Sequence, residues 1–148
     1  MAKETPISLA NEGFGFLEAA KGVCTADGCP KKRCLLVYYY LVCHSIELSC
    51  KAILLNAGVP ITTLKGVGHD LSKLISEVKR KKLGGEISEY HFSVVRMMSV
   101  DYRNRRYSYA NGGYEYRLVM PPLPFEAAER ISTLALTACK GKVEAGDE

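Results

Sequence analysis

The residues able to move protons or hold phosphate fall in three short stretches. His44, Glu47 and Lys51 lie in "HSIELSCKAILL", His69 and Asp70 stand together in "GHDLSKL", and Arg103, Arg105 and Arg106 crowd "YRNRRYSY". Imidazole titrates near neutrality, which suits it to take a proton from an RNA 2′-hydroxyl or give one to the leaving oxygen. Guanidinium forks match phosphate oxygens, and tyrosines such as Tyr107 and Tyr109 offer faces on which unpaired bases stack. Each feature also has a plainer reading. His69 beside Asp70 fits local capping of a helix start. "KRKK", Lys79 to Lys82, suits a solvated helix C-terminus.

These residues need elements to position them, and five helices are expected: about Ile7–Gly22, Lys32–Ala57, a third opening at "GHDLSKL", Glu86–Arg103 and Pro124–Lys140. The Gly13–Gly15 pair weakens the first of them. The second carries the first stretch and is apolar nearly all round, so most of its surface calls for burial. At about 100° per residue Tyr40, His44, Glu47 and Lys51 fall within roughly 60° of one another, a narrow polar stripe on a core helix. The stripe is either an exposed edge, with Glu47–Lys51 a pair worth a few tenths of a kcal/mol, or a seam shielded from water. A shielded seam requires partners, because each buried unpaired charge costs several kcal/mol. The arginine-rich segment and Asp70 are the expected partners. Between the last two helices, "RYSYANGGYEYRL" centres on Asn111-Gly112 and predicts a β-hairpin at about 106–118.

The totals bound the rest. A chain of 148 residues is long enough for one core, expected over 1–142 with a frayed acidic tail at 143–148. Twenty basic and sixteen acidic residues leave a net charge of +4, which permits an anionic partner without demanding one. The opening "MAKETPISLANEG" holds no apolar core segment. The longest apolar run, "CLLVYYYLVC", is half the roughly 20 residues of a membrane span. No membrane association and a cytoplasmic location are therefore expected, with the cysteines reduced. Cys43 and Cys50 would lie roughly 10 Å apart along one helix, too far to bridge. Cys24, Cys29 and Cys34 lack the tight pairs and fourth ligand of a zinc site, so neither metal nor cofactor is expected.

In order and spacing, "HSIELSCKAILLNAG", "GHDLSKL" and "YRNRRYSY" resemble the HEPN domain family (higher eukaryotes and prokaryotes nucleotide-binding). The likeness covers roughly Tyr38 to Tyr109. It implies an all-α, antiparallel up-and-down bundle of about five helices that forms a homodimer. It further implies RNA or nucleotide binding by Glu47, Lys51, His69, Asp70, Arg103, Arg105, Arg106, Tyr107 and Tyr109. Glu47 would fix an arginine of the Tyr102–Tyr109 segment, and Asp70 would order the turn beside it. Many members of the family are metal-independent ribonucleases of toxin–antitoxin or defence systems, which implies an antitoxin-like protein partner. Those nucleases carry an arginine followed by four to six residues and then a histidine. Here no histidine occurs after His91, so the motif is absent and binding without catalysis is the expectation. An endoribonuclease using an atypical acid–base set drawn from His44, His69 and His91 is the alternative. A protein-interaction module built on the hairpin tyrosines is a third.

Overall fold

Short polar side chains set where the helices of this chain begin. In the computed structural model, which describes residues 3–105 and 120–145, Thr5 caps Pro6–Gly22 (α1) by accepting the N–H of Ser8, while the Ser8 hydroxyl oxygen accepts the N–H of Thr5. Asp70 caps Leu71–Arg80 (α4), and Ser88 caps Glu89–Arg103 (α5), in each case accepting an N–H of the first turn. Such a cap removes one of the donors a helix start leaves orphaned. The long helix begins differently. A 3₁₀ turn at Lys32–Cys34 feeds directly into Leu35–Asn56 (α2), which has no side-chain cap.

Six α-helices are present among the described residues, one more than expected. The addition is Ile61–Val67 (α3), between Pro60 at its N-cap and Gly68. Its seven residues include Ile61, Thr62 and Thr63 in succession, β-branched side chains of modest helix propensity. What holds it is tertiary: Leu64 is fully buried in the core. The last helix, Leu123–Ala145 (α6), runs past the expected end at Lys140. Among the described residues the fold is all-α, with one isolated bridge between Cys24 and Pro30. The expected hairpin at about 106–118 lies outside the described residues. No described helix is long and apolar enough to cross a membrane.

The α2 helix is the axis of the core and touches every other helix. It buries residues on all sides, Tyr38, Tyr39, Val42, Ile46, Cys50 and Ile53 among them. Burial pushes the Cys50 thiol up to about 12 and the Tyr39 phenol likewise to about 12, so both stay neutral. None of the six cysteines is joined in a disulfide.

A close approach of α1 and α2 turns on Gly13. The Ser45 hydroxyl donates to the Gly13 carbonyl at 2.7 Å. A Cβ on Gly13 would stand 2.6 Å from Ser49 Oγ and 3.1 Å from the Ser45 carbonyl. Gly13 is therefore a packing requirement of this pair, whereas Gly15 faces open space. The two glycines predict opposite outcomes. Gly13→Ala overpacks the contact and should cost about 1–3 kcal/mol. Gly15→Ala only improves helix propensity and should add up to about 1 kcal/mol. Urea denaturation of the two variants checks this, and a shift of the same sign in both would contradict it.

Candidate functional site

Glu47 is only 3% exposed, on a helix otherwise built for burial. A carboxylate so placed must be hydrogen-bonded and paired. Its Oε1 meets His69 Nδ1 at 2.5 Å and accepts the Tyr102 hydroxyl at 3.2 Å. Its Oε2 faces Lys51 Nζ at 3.4 Å and His44 Nδ1 at 3.8 Å. Lys51 and His44 come from α2 itself, four residues after and three before Glu47, hence on the same face. His69 comes from the α3–α4 turn, which Gly68 makes by adopting φ 64°, ψ −130°. Tyr102 comes from the last turn of α5.

The directions of these bonds follow from the carboxylate. Because the Tyr102 hydroxyl donates to Glu47, its oxygen is left to accept from His44 Nδ1, 2.9 Å away. Glu47 likewise accepts from His69 Nδ1. His69 therefore carries its Nδ1 proton toward the carboxylate and His44 toward the Tyr102 oxygen, and each holds Nε2 unprotonated while neutral. His69 is 44% exposed and His44 is 20% exposed. An aromatic wall surrounds His44: Phe16 meets it edge-on at 4.4 Å and Tyr40 stacks on it at 5.7 Å. Burial holds the His44 pKa below its usual value, with the Glu47 charge acting in the opposite sense. Burial also pushes the Tyr102 phenol far up, and the adjacent Glu47 charge adds to this, so Tyr102 remains a donor.

A second polar contact adjoins the first. Asp70 Oδ1 accepts the Lys73 N–H at 3.1 Å, and Oδ2 pairs with Arg103 at 3.4 Å. Ser99 Oγ accepts the Ser72 N–H at 3.0 Å, so the start of α4 is tied twice to α5.

Five of the nine expected binding residues, Glu47, Lys51, His69, Asp70 and Arg103, thus converge here. The expected pairing is different, however. Glu47 is shielded, and its partners among the described residues are histidine, lysine and tyrosine, not Arg103 or Arg105. Arg103 follows Tyr102 on α5 and so stands about 100° further round that helix, where it meets Asp70. Arg105 sits past the helix end at φ 58°, exposed, and makes no ion pair with Glu47. Arg106, Tyr107 and Tyr109 lie outside the described residues. His91 stays with its own cap, its Nδ1 2.9 Å from the Ser88 hydroxyl. In the "KRKK" run, Lys79 pairs with Glu89 and Arg80 with Glu77.

Two members of the cluster were absent from the expected binding set. His44 was legible as part of the stripe, but Tyr102 carries no local signal, since nothing near it in the chain marks a phenol as a carboxylate's partner. Among the described residues no group of three or more His, Cys, Asp or Glu is placed to hold a metal ion. No family model, no curated protein and no solved structure matches this chain.

His44 makes stability depend on pH. Its folded pKa lies below the 6.5 of a free imidazole, so on acidification the unfolded chain takes up this proton first. The contribution is whole above pH 6.5 and is lost as pH falls through the folded value. Urea midpoints measured between about pH 7.5 and about pH 5 should fall with acidity, and less steeply in His44→Phe. Parallel profiles for the two proteins would contradict this origin.

Proposed function

We propose that this chain is a HEPN-like helical bundle that binds RNA or a nucleotide where His69 and Arg103 reach the surface beside Glu47, and that it acts as a homodimer. What supports this reading is one convergence. Glu47, His69 and Tyr102 come from the three separate segments that carry the family likeness and meet around one carboxylate, and their chain neighbours Asp70 and Arg103 pair beside them. Arg103 gives only one N–H to Asp70 and is 53% exposed, so most of its donors remain for phosphate oxygens. With the family's arginine–histidine motif missing, binding does not carry the family's chemistry with it.

A second reading draws on a specific observation. Two histidines bonded inward through Nδ1 to one carboxylate system leave two Nε2 atoms for proton transfer, which is what a metal-independent endoribonuclease with an atypical acid–base set requires. One experiment addresses both readings: purified protein incubated with mixed cellular RNA in chelator, with retention and cleavage scored separately. Retention is expected, falling more than about tenfold between roughly 50 and 200 mM salt. It should weaken about tenfold in Arg103→Gln, the size expected for losing a charge-assisted contact. Absence of retention at low salt sinks the binding reading. Cleavage that disappears in His69→Ala selects the second reading over the first.

A further inference from the structure

A cavity of about 680 Å³ opens between α3, α4 and α5, with Leu54 at the end of α2 reaching into its lining. Its lining is mostly aliphatic: Leu54, Val59, Leu64, Val67, Leu74 and Val100. The volume lies within the roughly 300–1,000 Å³ of small-molecule sites, which combine an apolar lining with a few placed polar groups. None of its described lining residues carries an aromatic ring, and together they suit an aliphatic body.

The charges at its mouth differ in how far they are already used. Glu77 is held by two hydrogen bonds from Arg80, at 3.1 Å and 2.8 Å. Asp70 is engaged by the Lys73 N–H and by Arg103. Both carboxylates therefore have partners. The cations retain capacity: Arg103 meets Asp70 at a long 3.4 Å through one nitrogen, and the exposed Lys73 ammonium enters none of the ion pairs among the described residues. Ser99 supplies a further donor. It is 3% exposed and lines the cavity, and its oxygen accepts the Ser72 N–H, which leaves its own proton to give. Ser99 and Arg103 are four residues apart on α5, so they are neighbours on one helical face.

We propose that this cavity binds a small aliphatic carboxylate. The chain lies along Leu54, Val59, Leu64, Val67 and Leu74, and the head group takes the Ser99 hydroxyl and the Arg103 guanidinium, with Lys73 at the rim. The inference goes beyond the RNA reading, sharing only Asp70 and Arg103 with it, and its test contains no RNA, so either can fail alone. Decanoate below its micellar concentration is titrated into the full chain by calorimetry, with decyltrimethylammonium as the counter-charged control. Saturable one-to-one binding is expected. The ammonium should bind more than about tenfold more weakly, and Arg103→Gln should weaken decanoate by a similar factor. Val100→Trp, at a half-exposed wall position, should fill the space and abolish binding, as should Ser76→Phe on α4, with helicity and melting confirming that each variant folds. No saturable decanoate binding, equal binding of the ammonium, or unchanged affinity in whichever blocking variant folds overturns the proposal.

Discussion

The carboxylate of Glu47 constrains the arrangement of this molecule more than any other single group. It lies on the helix that forms the centre of the core and is almost wholly withdrawn from water. Left alone, such a charge would cost several kcal/mol. Lys51 and His44 meet part of that demand locally, but Oε1 takes donors from outside α2: His69, carried by the turn before α4, and Tyr102, carried by the end of α5. One buried charge thus fixes how three distant parts of the chain meet. Apolar packing alone would leave their register far less specified, because dispersion and burial are non-directional.

Much of this organisation was legible in the sequence. The stripe from Tyr40 to Lys51 follows from helical geometry applied to an otherwise apolar segment, but the same arithmetic left open whether it is an exposed edge or a shielded seam, which the burial of Glu47 decides. The identity of the partner was not legible. Arginine is the usual counter-ion for a buried carboxylate, and a cluster of arginines stands close to Tyr102. Which of two adjacent residues on α5 faces Glu47 depends on the rotation of that helix about its own axis, and no local pattern encodes that rotation. The α3 helix was missed for a related reason: its residues have weak intrinsic preference, and only the burial of Leu64 makes it a helix. Gly13 shows the converse. In isolation it reads as a defect in α1, and only its contact with Ser45 and Ser49 shows why a side chain has no place there.

Two kinds of surface result. Around Glu47 the protein presents imidazoles whose Nδ1 atoms are engaged and whose Nε2 atoms have no hydrogen-bond partner among the described residues. Beside Asp70 it presents an aliphatic hollow with cations at its edge. The beginning of α4 serves both, since His69 turns toward one and the residues from Asp70 onward line the other. Asp70 has three tasks there: it ends the turn, caps the helix and holds Arg103 in place.

That sharing gives Gly68 an influence out of proportion to its size. Its backbone, at φ 64° and ψ −130°, occupies a conformation that side chains of L-amino acids rarely allow. A bulkier residue there would re-aim the peptide just ahead of both His69 and Asp70. The damage would spread to α2 through one and to α5 through the other, so this smallest of residues is a single point of failure for two otherwise separate pieces of chemistry.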